Sequence, residues 1–180
     1  MTSRRTASAV ASLTLVASTD AYAHTGAAGP GGFGRGVAHP FAGFDHLIAM
    51  IAVGVWAARR GGRSVWFVPV AFLLLMTIGA ILGAIGIAVP FAGAAVVLSL
   101  FVFAMIVVAA VKLPMWASLA IVAGFALLYG DMHGTAMAPN AAALSYGAGF
   151  LLATALLHAT GVGLVALTRR LIMAARRMMY

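Results

Sequence analysis

The chain has 180 residues, of which 64% are hydrophobic and 8% charged, with 11 Lys and Arg against 3 Asp and Glu. Soluble domains carry about 45–50% apolar and about 25% charged residues, so a water-soluble globule is excluded. Disorder is excluded too, because disordered chains are polar and charge-rich. The absence of cysteine removes disulfide scaffolds, thiolate metal sites and covalently attached haem. What remains is an all-α integral membrane protein.

Residues 1–23 read as a cleaved signal peptide. Arg4 and Arg5 open it, Ala9 to Ala17 is a short apolar stretch, and Ala21-Tyr22-Ala23 is a small-residue cleavage site. The mature chain, 24–180, then forms a single transmembrane domain that begins at His24. Thr25 to Gly36 is rich in Gly and Pro and reads as an exposed lead-in.

Five membrane helices are expected. The first, 40–58, opens on a proline in a permitted first-turn position and closes at Arg59, Arg60 and Arg63. From Ser64 to Val111 no residue is charged, and Val89-Pro90 divides this run into helices of about 65–88 and 90–111. Lys112-Leu113-Pro114 breaks the chain before a fourth helix, 114–129. Asp131 to Asn140 reads as a polar loop, and a fifth helix, 141–168, precedes Arg169, Arg170, Arg176 and Arg177.

The charges fit this count. With the N-terminus periplasmic and the C-terminus cytoplasmic, every mature Lys and Arg except Arg35 falls on the cytoplasmic side. That is the positive-inside asymmetry, and it explains the net charge of +8 without a nucleic-acid partner. Small residues such as Gly79-Ala80-Ile81-Leu82-Gly83 and Gly147-Ala148-Gly149 predict close helix approach in a compact bundle.

The polar inventory is short. Asp45 and His46 must lie within the first span, because only 12 residues separate His46 from Arg59. Ionisable groups at that depth are costly unless paired, which marks them as functional candidates. His39 and His46, seven residues apart, return to nearly one helix face, and Asp45 points about 100° away. An aspartate accepting a proton from an imidazole would leave the other ring nitrogen for a metal. The alternative is that Asp45 and His46 only bond helices together. His158 lies deep in the fifth helix, one turn after Thr154, while Asp131 and His133 would stand near the outer mouth. His24 would add a free α-amine beside its imidazole if cleavage follows Ala23. Imidazole and carboxylate without thiolate suit nickel, cobalt, zinc or copper(II). No Gly-rich phosphate loop and no defensible nucleophile–base spacing occurs, so neither an ATP site nor an enzyme is expected.

The run His39-Pro40-Phe41-Ala42-Gly43-Phe44-Asp45-His46-Leu47-Ile48-Ala49-Met50, of the form HPFxGxDHLxAM, resembles the signature of the HupE/UreJ family. These are small bacterial inner-membrane proteins linked to hydrogenase or urease maturation and regarded as nickel or cobalt permeases. A late segment with Gly149-Phe150, Ala153-Thr154, Leu157-His158 and Gly161 is also similar to the family's GFxxATxxLHxxG. After the fourth helix the family commonly carries FHGxxHGxE. Here Gly130, His133 and Gly134 match it, while Tyr129 stands for the first His and Ala136 for the acidic residue.

The resemblance implies an inner-membrane permease carrying Ni2+ or Co2+ as substrate, with no permanent cofactor. His39 and His46 would receive the ion, Asp45 would supply charge or orient an imidazole, His133 would help form the entrance, and His158 would act as a later relay. Asp131 and His24 complete the candidate metal ligands. Partners would be the divalent ion and the bilayer, with a homo-oligomer and a cytoplasmic metallochaperone as further expectations. The competing readings are a membrane metal sensor or accessory protein that does not transport, and a haem-binding electron carrier using His46 and His158.

Overall fold

A computed structural model describes residues 32–109, 113–136 and 141–179. The expected signal peptide, His24 and Lys112 lie outside these residues. The described chain is helical: α1 (Gly32–Ala42), α2 (Phe44–Arg60), α3 (Ser64–Ala84), α4 (Ala92–Val108), α5 (Met115–Thr135) and α6 (Ala141–Met178). α3, α5 and α6 are long and apolar enough to cross a membrane. α1 and α2 together form a fourth candidate, bent by 85°, and α4 is a shorter apolar helix of 17 residues.

The start of the bundle differs from the expectation for 40–58. Pro40 does not open the first span. It lies buried near the end of α1, whose helix already begins at Gly32, within the stretch expected to be an exposed lead-in. α1 packs against the start of α6, where Gly36 meets the Tyr146 backbone and Gly149 meets the Phe33 backbone. That packing is what orders Gly32 to Gly36. The chain then turns at Gly43, which has extended φ −113 and ψ 120, and enters α2.

The second difference is at the end of the fourth expected span. α5 continues to Thr135, so Asp131 and His133 are helical and buried rather than in an outer loop. One polar atom of each finds a partner inside the protein, while Asp131 Oδ1 has none among the described residues. Asp131 Oδ2 accepts from the Val89 amide at 3.1 Å, and His133 Nδ1 sits 2.6 Å from the Tyr129 carbonyl. α6 also outruns the expected 141–168, reaching Met178, and beyond Gly161 it carries no buried residue among those described. At 1.5 Å per residue its 38 residues span about 57 Å, well over a hydrocarbon core of about 30 Å.

Glycines set the helix spacing. In α3, Gly79 and Gly83 face the backbone of α5 around Leu127 to Thr135, and in return Gly130 and Gly134 face Met76 and Ala80. Gly54 of α2 meets the His158 carbonyl, while Gly161 of α6 meets Ile51 and Val55. A side chain at any of these points would strike backbone. These contacts make α3 parallel to α5, and the pairs His46–Phe150, Gly54–His158 and Ala58–Arg169 make α2 parallel to α6.

The turn between α2 and α3 uses Gly61 and Gly62, with φ +74 and +54, a region costly for residues with a Cβ. The arginine end is tied by side-chain donors to backbone carbonyls. Arg59 donates to Val107 O at 2.5 Å, Arg60 to Leu113 O at 2.6 Å and to Ser118 Oγ at 2.9 Å, and Arg169 to Ala58 O at 3.2 Å. α2, α4 and α6 therefore run toward this end, and α3 and α5 run away from it. Histidines 39, 46 and 133 lie at the opposite end.

Candidate metal centre

The bend at Gly43 decides the geometry of the site. His39 and His46 do not share one continuous helix face, as their seven-residue spacing had suggested, because the chain turns between them. They meet across that turn, with ring centroids 6.3 Å apart. His133 of α5 closes the group, at 4.9 Å from His39 and 5.4 Å from His46. Three imidazoles from three helices thus converge.

Their nitrogens are arranged for a ligand. His133 Nδ1–H donates to the Tyr129 carbonyl, which leaves Nε2 as the atom with a lone pair. That Nε2 accepts a hydrogen bond of 3.0 Å from His39 Nε2–H. Two nitrogens each about 2.1 Å from one ion and at right angles to each other would sit about 3.0 Å apart. His46 is buried, and its Nε2 has no hydrogen-bond partner among the described residues. A buried polar nitrogen left so is uncommon and calls for an explanation. Among the described residues, however, no three donors from His, Asp or Glu already converge as a finished metal cage.

Aromatic rings enclose the cluster. Phe150 lies 4.6 to 5.6 Å from all three imidazole centroids, Tyr146 lies 5.8 Å from His39, and Tyr129 lies 5.0 Å from His46. Sequence reasoning singled out none of these three as site walls. The signal was present for α6, since Tyr146 and Phe150 are one turn apart and share a face.

The remaining candidates fall elsewhere. Asp45 is in the first turn of α2, half-buried, and among the described residues no hydrogen bond joins it to His46. Its Oδ1 instead lies over Gly43, where a Cβ would stand 2.6 Å away. Asp131 is two residues from His133 on a helix, so it faces away from the imidazoles and holds the α3–α4 connection through Val89. His158 is 1% exposed and lies eight residues beyond Phe150, about 12 Å deeper along α6. It packs edge-on to Phe72 at 5.2 Å, and neither ring nitrogen has a partner among the described residues. A cavity of about 790 Å³ between α3, α5 and α6 touches His133. Its walls, among them Met76, Ala80, Gly130 and Leu151, are apolar and suit lipid chains better than a hydrated dication.

The sequence profile described as HupE / UreJ protein matches residues 11–179. The chain belongs to the HupE/UreJ family. It is 42% identical to "Protein HupE" of Rhizobium leguminosarum bv. viciae over 147 residues, covering 82% of this chain and 76% of that protein. No solved structure matches. HupE/UreJ proteins are accessory and permease proteins rather than enzymes, and the helical, multi-pass membrane architecture agrees with that.

Proposed function

We propose that the protein is an inner-membrane permease that carries a divalent transition-metal ion, Ni2+ first and Co2+ next, into the cytoplasm for metalloenzyme maturation. One observation carries the reading: His39, His46 and His133, distant in sequence, meet at the end of the bundle opposite the arginines, His46 and His133 buried and His39 half-buried. With the arginine end cytoplasmic by the positive-inside rule, the imidazoles face the periplasm. Neutral imidazoles suit borderline ions such as Ni2+ and Co2+. The incomplete cage serves release, since a transported ion must be held loosely enough to leave. Asp45 contributes negative charge at the start of α2, and His158 is the next imidazole toward the cytoplasm. A membrane potential negative inside favours inward movement of the cation.

The second reading, a sensor or accessory protein that binds without transporting, is supported by Tyr129. This residue is fully buried directly beside His46, where the family pattern commonly has a histidine. Uptake of Ni2+, Co2+, Zn2+ and Cu2+ into sealed vesicles containing the purified protein separates the two. Accumulation of Ni2+ or Co2+ above protein-free vesicles supports the permease; binding without accumulation supports the sensor.

A further inference from the structure

The cluster and His158 are not in contact, and the residues between them form a definite structure. His46 and Gly54 are eight residues apart on α2, and Gly54 abuts the His158 carbonyl, so His158 lies about 12 Å below the cluster. Tyr129 is one turn below His133 on α5, 0% exposed, with its ring perpendicular to His46 at 5.0 Å. Below it comes Phe72 of α3, 6.0 Å from Tyr129 and 5.2 Å from His158. On either side are unpartnered polar atoms: His46 Nε2 above, and both His158 nitrogens below. Two aromatic rings therefore separate two sets of potential ligands.

The upper ring is tied back. Ser99 Oγ donates to Val96 O at 2.6 Å, so its proton is committed. The contact of 3.1 Å between Ser99 Oγ and the Tyr129 hydroxyl is then a bond in which the phenol donates to the serine. This holds the Tyr129 ring toward α4 and spends the one proton of its hydroxyl.

We propose that Tyr129, tethered to Ser99 and backed by Phe72, is the partition between the three-imidazole cluster and His158, and that its displacement sets the rate of ion passage. The proposal rests on the transport reading above. An ion cannot pass from His46 to His158 through this apolar packing without moving these rings, because a bare dication in such surroundings is prohibitively unstable. Breaking a neutral hydrogen bond changes an equilibrium by about 2- to 10-fold, so the tether is strong enough to matter and weak enough to open. Tyr129 in this role is a rate-setting residue, not a ligand.

Two measurements test it. In sealed vesicles loaded with the purified full chain, Ser99→Ala and Tyr129→Phe should each raise the initial Ni2+ uptake rate by about 2- to 10-fold. The double variant should be no faster than either single one, because both remove the same bond. Unchanged rates in both variants, or multiplied gains in the double, overturn the proposal. Loss of uptake in Tyr129→Phe alone also overturns it and makes the phenol a ligand. The second measurement does not depend on transport. The chain contains no cysteine, so His158→Cys, placed beyond Phe72 and Tyr129, can be labelled cleanly with a small cationic methanethiosulfonate in detergent. Labelling should be slow with Tyr129 in place and at least about tenfold faster with Tyr129→Ala, with Ser99→Ala between them. Equal rates in all three overturn the partition. Accelerated labelling together with no metal uptake by the unsubstituted chain upholds the partition and refutes the transport reading instead.

Discussion

His133 is the residue whose environment most narrowly limits what it can do. Its Nδ1–H is held by the Tyr129 carbonyl, so a cation can bind only at Nε2, the atom already beside His39. His133→Ala and His46→Ala should each weaken Co2+ binding to the purified protein by more than about tenfold, read from the visible absorption of bound cobalt. His158→Ala should leave that binding intact and lower uptake, because His158 lies below the Tyr129 and Phe72 rings and outside the cluster. A cobalt spectrum lost in His158→Ala, or unchanged in His46→Ala, would contradict this division. Asp45 is harder to assign from geometry, since it makes no hydrogen bond to His46 and lies over Gly43. If its contribution is charge, Asp45→Asn should reduce uptake normalised to inserted protein, while Asp45→Glu retains most of it.

Among the helices, glycine contacts rather than hydrophobic matching determine which faces meet. A Cβ at Gly54 or Gly130 would collide with the backbone at His158 or Met76, so Ala there must push two helices apart. Gly54→Ala and Gly130→Ala should each destabilise the protein by roughly 1–3 kcal/mol, seen as a lower Tm in detergent. Gly124→Ala is the control: nothing stands within 4 Å of the added carbon, and its Tm should not fall. Separation at Gly54 would also shift α2 against α6 and so disturb the imidazoles at their shared end. The kink at Gly43 belongs to the same level, because without it His39 and His46 would be stacked along one helix instead of facing across a corner.

For the whole molecule, direction is the central issue. Arg59, Arg60 and Arg169 donate to the carbonyls of Val107, Leu113 and Ala58, drawing α2, α4, the start of α5 and the middle of α6 together at one end. On the proposed orientation the same arginines stay on the cytoplasmic side, so one set of side chains would serve both orientation and closure. Reporter fusions after Arg60 and after Tyr180 should report cytoplasm, and a fusion near position 138 should report periplasm. A periplasmic C-terminus would reverse the assigned direction of transport. Intact mass of the membrane-inserted protein should lack residues 1–23, and a mass that includes them would refute cleavage.

Composition by itself determined the solvent and the helical class, because a bilayer demands long apolar helices; of the five expected spans, three helices, or four counting the bent pair, are long and apolar enough to cross. The residues of the cluster were also visible, since so few ionisable groups occur in so apolar a chain that each stands out. Their arrangement was not. α3, α4 and most of α5 are apolar on nearly every face, as lipid requires, so no periodicity reveals which stripe is packed and which faces lipid. Spacing alone placed His39 over His46 on one helix and put His133 beside Asp131 in a loop. Only the tertiary structure bent the chain at Gly43, carried α5 on through Thr135, and turned Asp131 toward Val89 while His133 turned toward the imidazoles. The physical reason is that a helix end continues or stops according to whether its polar groups find partners. Those partners, Tyr129 O, Val89 N and His39, are assembled only when the helices pack.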